Sequence, residues 1–319
     1  MSDAASETRY GKMQSAQAAK ITQGVAQLAV LVAVALIALK GWAWLASGSV
    51  AMLASLADST LDLAASLFSY FAVRYAAHPP DAKHRYGHGK AEAFAGLFQA
   101  GLVAVSAAFI AAEAGARLIV PQPLAAGGEA IIVMVISIAV TLALVAAQTR
   151  ALRQTGSVAT SGDRAHYASD LAANLIVIAG IALGVVINIP RADAVAGLLV
   201  AAWLAYGAWT VARDSANHLM DQELPAADRE RIEALALEDG QVLRVHDLRT
   251  RASGPYIHIQ FHADLNPDLT LQAAHALIVA AETRIRQVYP AADIIIHPDP
   301  ADRAAPHGHE AFPEGYSGP

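Results

Sequence analysis

Residues 93–112 read AFAGLFQAGLVAVSAAFIAA, an uncharged run that lies between Glu92 and Glu113. A helix needs about 20 apolar residues to cross the ~30 Å hydrocarbon layer of a membrane. The run therefore predicts a transmembrane helix. The same pattern recurs several times in the first two thirds of the chain.

Five further segments extend this pattern into a complete membrane domain. One of them, at about 49–74, is apolar except for Asp58 and Asp62. The other four contain no charged residue and cover 21–39, 130–149, 171–190 and 194–212. We therefore predict six transmembrane helices, a membrane domain that is entirely α-helical.

Composition and charge agree with an integral membrane protein. Of 319 residues, 55% are hydrophobic and 16% are charged, whereas about 25% of the residues of a typical soluble domain are charged. The net charge of −6 argues against a nucleic acid-binding protein. Because cysteine is absent, disulfides and thiolate metal sites are excluded.

Basic residues are distributed unevenly between the predicted loops. The N-terminal tail contains Lys12 and Lys20, and further basic residues follow the second and fourth predicted helices, among them Lys83 and Arg153. Loops rich in lysine and arginine remain on the cytoplasmic side. We expect a multi-pass protein of the cell inner membrane with both termini in the cytoplasm.

The chain becomes more polar near Asp221. From there the patterns predict a helix, two strands, a second helix and a third strand, an order typical of a small α+β domain with helices on one face of a sheet. The predicted organisation is an N-terminal cytoplasmic tail, a six-helix transmembrane domain, a polar cytoplasmic domain and a disordered tail, at 1–15, 16–217, 218–302 and 303–319 respectively.

Two carboxylates lie inside the second apolar segment. Asp58 and Asp62 are four positions apart and share one helix face, and each costs about 2.5–3.5 kcal/mol at the membrane centre. His166 and Asp170 repeat this spacing near the start of the fifth segment. Three carboxylates and an imidazole suit Zn²⁺, and also Fe²⁺ or Mn²⁺. The alternative is a polar helix contact in which hydroxyl groups compensate the aspartates.

Two further groups of residues have the composition of metal ligands. In the loop after the second helix, Asp81, His84 and His88 are spaced by three and four residues, and they are either ligands or solvated loop side chains. The polar domain is rich in histidine, which predicts either a joint metal site or ordinary surface histidines on a sheet. The residues concerned are His246, His258, His262, His275, His297 and the neighbouring Asp299.

Five motifs resemble those of the cation diffusion facilitator family, and within it the bacterial zinc and iron exporters. The similarity extends over about residues 15–300. The motifs are Asp58-Ser-Thr-Leu-Asp62, His84-Arg-Tyr-Gly-His88-Gly-Lys90-Ala-Glu92, His166-Tyr-Ala-Ser-Asp170, His246-Asp-Leu-Arg-Thr-Arg251 and Ile295-Ile-His297-Pro-Asp299-Pro300.

The resemblance implies a six-helix transmembrane domain, a cytoplasmic ferredoxin-like (metallochaperone-like) domain and a homodimer. It implies a transport site formed by Asp58, Asp62, His166 and Asp170 and a loop site formed by Asp81, His84 and His88. It also implies a binuclear cytoplasmic site of His246, His262, His275, His297 and Asp299, and a charge pair between Lys90 and Asp221 that secures the dimer. Two positions depart from the family pattern, His258 where relatives are commonly apolar and Ala165 where a bulky gate residue is common.

The expected function is proton-coupled export of divalent transition metals from the cytoplasm. Zn²⁺ is the first candidate, followed by Cd²⁺, Fe²⁺ and Mn²⁺. An empty site of three carboxylates would carry a charge of −3, so protons are expected to replace the departing metal. Two alternatives remain, a membrane-anchored metal sensor and a membrane metalloenzyme. The absence of an H-E-x-x-H motif argues against the enzyme.

Overall fold

The computed structural model describes residues 11–47, 50–119, 128–186 and 192–302. Within these ranges, six long helices of 27 to 33 residues precede a small mixed domain. The helices are α1 (Ser15–Ser47), α2 (Val50–Ala76), α3 (Ala91–Ile119), α4 (Gly128–Thr155), α5 (Val158–Val186) and α6 (Ala192–Leu219). The predicted disordered tail, with His307 and His309, and residues 1–10 of the predicted N-terminal tail lie outside the described residues.

The membrane helices present apolar side chains on their outer surface. Leu31, Phe109, Leu199 and Trp203 are each more than half exposed, which is expected where lipid rather than water surrounds a helix. Among the described residues, three stretches are long and apolar enough to cross a membrane by length and composition alone. They are Ser15–Ala46, Ala91–Ala116 and Ile132–Thr155.

The fifth helix begins earlier than the uncharged run predicts. It starts at Val158 rather than near residue 171, and the Ser157 side chain caps it by accepting a hydrogen bond of 3.2 Å from the backbone N–H of Thr160. His166 and Asp170 therefore lie within the helix rather than at its start. A search for uncharged runs misses this first part of α5, because it contains charged residues such as Asp163. Such polar side chains are tolerated there because they are buried against neighbouring helices.

The polar domain has the predicted order of elements. It contains α7 (Ala226–Leu237), β1 (Arg244–Ser253), β2 (Tyr256–Leu265), α8 (Leu271–Val288) and β3 (Ala292–Pro300). The strand order is β1-β2-β3, and β2 pairs antiparallel with β1 and parallel with β3. The predicted fold class, a helical membrane domain with an α+β cytoplasmic domain, is confirmed.

Apolar and polar residues alternate along β2, so that one face of the strand is apolar and the other polar. Ile257, Ile259 and Phe261 are at most 1% exposed and pack with Ile232 of α7 and Ile285 of α8. Burial of such side chains contributes about 1.5–3 kcal/mol each. The intervening positions of β2 point to the other face of the sheet, and this is the face that carries the histidines.

Candidate metal centres

The first group of ligand-type side chains lies inside the helical domain and is here called the membrane group. It consists of Asp62 on α2 and of His166 and Asp170 on α5, with one ligand atom from each within 4.8 Å of the others. His166 Nε2 lies 3.1 Å from Asp62 Oδ1 and 3.9 Å from Asp170 Oδ2. Asp62 and His166 are buried, and Asp170 Oδ2 is a buried atom without a hydrogen-bond partner among the described residues.

Asp58, the fourth predicted transport ligand, is not part of the membrane group. It lies on α2 one turn before Asp62, and its side chain is exposed. The structure therefore brings together three of the four residues in the predicted set.

A buried lysine near this site was missed by the sequence analysis. Lys40 of α1 is 8% exposed, and its Nζ donates to Ser59 Oγ at 2.6 Å and to the Ser55 carbonyl at 3.3 Å. Ser55 and Ser59 flank Asp58 on α2, so Lys40 places a positive charge beside the acidic helix. The sequence could have identified Lys40, because this charged residue lies inside a helix whose apolar sequence continues beyond it to Ser47. A charged residue within a membrane helix usually has a specific partner.

The second group, the loop group, lies between α2 and α3. Asp81, His84 and His88 bring one ligand atom each to within 4.8 Å. His88 Nε2 is 3.1 Å from His84 Nδ1 and 3.4 Å from Asp81 Oδ2. The backbone N–H groups of His84 and Lys83 donate to Asp81 Oδ1 and hold the pKa of this carboxyl below its usual range. Asp81 therefore remains anionic at neutral pH, as a metal ligand must be.

The third group, the cytoplasmic group, is assembled by strand register. His246 pairs with His262, and His262 pairs with His297, which places one histidine from each strand side by side. Asp299 is 3% exposed, and its Oδ2 lies 2.8 Å from His262 Nδ1 and 3.4 Å from His246 Nε2. His297 Nε2 lies 3.5 Å from Asp299 Oδ1. Three of the five predicted ligands, His246, His262 and Asp299, thus meet within 4.8 Å at one end of the sheet, and His297 lies next to them through its contact with Asp299.

Two residues modify the predicted cytoplasmic set. His275 is exposed on α8 and is not part of the close group. Asp264, which the sequence analysis missed, lies 3.3 Å from His246 Nε2 and is also bound by Arg244. Its position two residues after His262, on the same face of β2, was the signal that could have identified it.

His258 lies on the same face of β2 as His262 but contacts the loop between α2 and α3. Its ring is 7% exposed, lies 3.3 Å from Asp293 Oδ2 and contacts the edge of the Tyr86 ring. Burial and the Arg251 guanidinium lower the pKa of His258, against the opposing effect of Asp293. This histidine is therefore a neutral contact between the cytoplasmic sheet and Tyr86 of the α2–α3 loop.

The junction between the two domains contains the predicted charge pair. Lys90 Nζ lies 3.0 Å from Asp221 and also donates to the Leu219 carbonyl. Arg251 makes a second ion pair with Asp221 at 3.2 Å. Gly89 packs so closely against the β1–β2 turn that an added Cβ would come within 2.1 Å of the Ser253 carbonyl oxygen. Loop and sheet are therefore in direct backbone contact.

Comparison with known proteins agrees with this organisation. Residues 26–220 match the family description "Cation efflux transmembrane domain", and residues 224–301 match "Cation efflux protein, cytoplasmic domain". The cation-efflux pump FieF of Shewanella oneidensis is 41% identical over 271 residues, which are 85% of this chain and 91% of that protein. FieF of Cronobacter sakazakii is 37% identical over 281 residues, which are 88% of this chain and 93% of that protein.

These similarities extend through both domains and cover all three groups of ligand-type side chains. The relatives are named as cation-efflux pumps, which are transporters and not enzymes. The helical domain has the length and surface of a membrane-embedded structure, and its buried interior contains the carboxylates and histidine that a cation requires. The chain therefore belongs to the cation efflux family, also known as the cation diffusion facilitators, and is a membrane transporter of cations.

Proposed function

We propose that this protein exports divalent transition metals from the cytoplasm in exchange for protons, with Zn²⁺ as the preferred substrate. The observation that carries the proposal is the membrane group, in which two buried side chains, Asp62 and His166, and the half-buried Asp170 converge within 4.8 Å. We assign Asp58, Asp62, His166 and Asp170 to the transport site. Asp58 would join the group when α2 moves during the transport cycle.

The ligand set favours a small divalent transition metal. Carboxylate oxygens with one imidazole nitrogen suit Zn²⁺ in a four-coordinate site, and they also accept Fe²⁺, Mn²⁺ and Cd²⁺. In the absence of thiolates, nothing at the site selects strongly for the softest ions. The proposed order of preference therefore places Zn²⁺ first without excluding the others as substrates.

Proton exchange follows from the charge of the site. Three carboxylates in a low-dielectric interior repel one another strongly unless a cation is present. Lys40 supplies one positive charge nearby, but its Nζ is bound to Ser59 and Ser55. Protons are the cations available to replace the metal after it leaves, and so metal and protons would bind alternately.

The remaining sites are proposed to regulate transport. The loop group and the cytoplasmic group would bind metal ions as sensors, the latter as a binuclear site that includes His275. We further propose that the protein is a homodimer in the inner membrane, with both termini in the cytoplasm. The Lys90–Asp221 pair would secure the domain junction, and the domains would divide at about residues 217 and 218.

Reconstitution into liposomes tests the function directly. An imposed pH gradient, acidic on the side equivalent to the cell exterior, is expected to drive Zn²⁺ toward that side against its own gradient. Parallel assays with Cd²⁺, Fe²⁺ and Mn²⁺ rank the substrates. If the Zn²⁺ flux is independent of the pH gradient when the membrane potential is clamped, proton exchange is contradicted. Metal binding without any flux would favour the alternative of a membrane-anchored sensor.

A further inference from the structure

Four membrane helices meet at a buried polar cluster that contains none of the proposed metal ligands. Its members are Ser69 of α2, Gln99 of α3, Gln148 of α4 and Asp163 of α5. Gln99 and Gln148 are completely buried, Ser69 is 2% exposed and Asp163 is 4% exposed. We call these four residues the helix hub.

Asp163 is held by an amide donor at each of its oxygens. Gln148 Nε2 donates to Asp163 Oδ2 at 2.7 Å, and Gln99 Nε2 donates to Asp163 Oδ1 at 3.2 Å. The same Gln99 nitrogen lies 2.9 Å from Ser69 Oγ and 3.2 Å from the Ala65 carbonyl. One amide group of α3 therefore joins α2 to α5, the two helices that carry the membrane group.

The hub begins one helical turn from the membrane group on α5, and on α2 its Gln99 amide reaches the Ala65 carbonyl one turn after Asp62, while Ser69 itself lies two turns after Asp62. Asp163 is three residues before His166, and Ala65 is three residues after Asp62. A second connection lies beside it, since Ser66 Oγ and Tyr167 OH are 2.7 Å apart. Side chains that are not ligands thus connect α2 and α5 next to the ligands themselves.

The hub also leaves little freedom for rotation of α5 against α3. A Cβ on Gly162 would approach Gln99 Cβ to 3.0 Å and Gly96 Cα to 3.1 Å, so the two helices are in close backbone contact. At the centre of a membrane helix, a carboxylate adds about 2.5–3.5 kcal/mol to the cost of insertion. Apolar packing would join the helices without that cost. The position of Asp163 one turn from His166 therefore indicates a role connected with His166 rather than with packing alone.

We propose that Asp163 is a positioning residue for transport, which together with Gln99 and Gln148 fixes the rotation of α5 so that His166 and Asp170 face Asp62. The inference rests on the proposed function of the membrane group. Residues that orient metal ligands typically change metal affinity or activity by about 10- to 100-fold when they are altered.

A reciprocal exchange of amide and carboxylate tests this role. Asp163→Asn places an amide nitrogen opposite one of the two glutamine donors, and Gln148→Glu places a second carboxylate opposite Asp163. In the double variant Asp163→Asn/Gln148→Glu, the carboxylate introduced on α4 accepts from the amide introduced on α5, and the oxygen of that amide still accepts from Gln99. Gln148 is chosen because its side-chain nitrogen donates to Asp163, whereas Gln99 also serves α2.

Zn²⁺ flux in proteoliposomes gives KM and maximal rate separately, for protein that is correctly inserted and elutes as a single species. We expect each single variant to lose about 10- to 100-fold in maximal rate/KM, and the double variant to return to within about threefold of the wild type. Ser137→Ala is the matched control, because this buried α4 hydroxyl donates within its own helix, to the Val133 carbonyl. It should leave both parameters unchanged.

Two results would overturn the inference. One is an Asp163→Asn protein with wild-type KM and maximal rate, and the other is a double variant no better than the weaker single variant. If a single variant does not insert, Gln148→Met, which removes one donor and adds no charge, takes its place and should raise KM. Asp62→Ala is measured in parallel. Wild-type flux in Asp62→Ala would contradict the proposed transport site itself, whereas loss of flux there with normal Asp163→Asn would refute only the positioning role.

Discussion

The membrane group and the cytoplasmic group use the same kinds of ligand but are built in different ways. In the membrane group, Asp62, His166 and Asp170 project from two helices, and their distances depend on how α2 and α5 are rotated. In the cytoplasmic group, three neighbouring strands carry one histidine each, and the hydrogen-bond ladder fixes their spacing. A small helix rotation would rearrange the first group, whereas the second changes only if strands separate. A metal ion bound at the first group would therefore be released more readily than one bound at the second.

The largest expected effect is at the membrane group. Asp62→Ala removes a buried ligand and should reduce Zn²⁺ flux at least about 100-fold, because one ligand of four contributes several kcal/mol of binding. Insertion should remain normal, since loss of a buried carboxylate lowers the cost of insertion. Proteoliposome flux measures the effect, and retention of more than about half the flux would remove this group as the transport site.

The cytoplasmic group should have a smaller effect on transport. The double variant His246→Ala/His262→Ala is expected to lose Zn²⁺ binding in the cytoplasmic domain and to slow transport about 5- to 10-fold without abolishing it. Equilibrium binding to the full-length protein, compared with flux, separates the two effects. Complete loss of flux with a loaded membrane group would mean that the cytoplasmic domain is obligatory for transport.

Lys40 is a second difference between the two groups. The cation beside the cytoplasmic group, Arg244, is paired with Asp264, whereas Lys40 near the membrane group donates to Ser59 and to the Ser55 carbonyl. Lys40→Met removes this positive charge and should tighten metal binding at the membrane group by roughly 5-fold. Lys20→Met, an exposed position on the same helix, is the matched control. A Lys40→Met protein with weaker binding would show instead that Lys40 supports the site through its contacts with Ser59 and Ser55.

The smallest effect concerns His258, at the contact between the sheet and Tyr86 of the α2–α3 loop. His258 is surrounded by Asp293, Arg251 and Tyr86, with Asp221 beyond them, and its pKa is lowered in the folded protein. Below about pH 6.5, His258 therefore binds a proton more readily in the unfolded chain than in the folded protein. The free energy of unfolding consequently falls as the pH drops below about 6.5. Metal-free wild-type protein should lose about 2 °C more in Tm between pH 7.5 and 5.5 than His258→Gln. Equal shifts would contradict this role.

Local sequence patterns determined the elements of this protein. Uncharged runs of about 20 residues predicted the membrane helices, and alternation along Ile257 to Phe261 predicted the buried face of β2, because hydrophobic burial acts on individual segments. The i, i+4 spacing also placed His166 and Asp170 on one face. The motifs then allowed the family resemblance to be recognised, and the comparisons support it.

Contacts between elements were decided only by the tertiary structure. The packing of the helices decides three features: the contact of Lys40 with Ser59, the hub around Asp163 and the separation of Asp58 from the membrane group. Strand pairing decides a fourth, the position of Asp264 beside His246. Gln99 illustrates the reason, since it looks like an ordinary polar residue in an apolar run, and its three acceptors come from α2 and α5. The periodicity of a single segment contains no information about which neighbour a side chain will meet, because that is set by the packing of all the helices together.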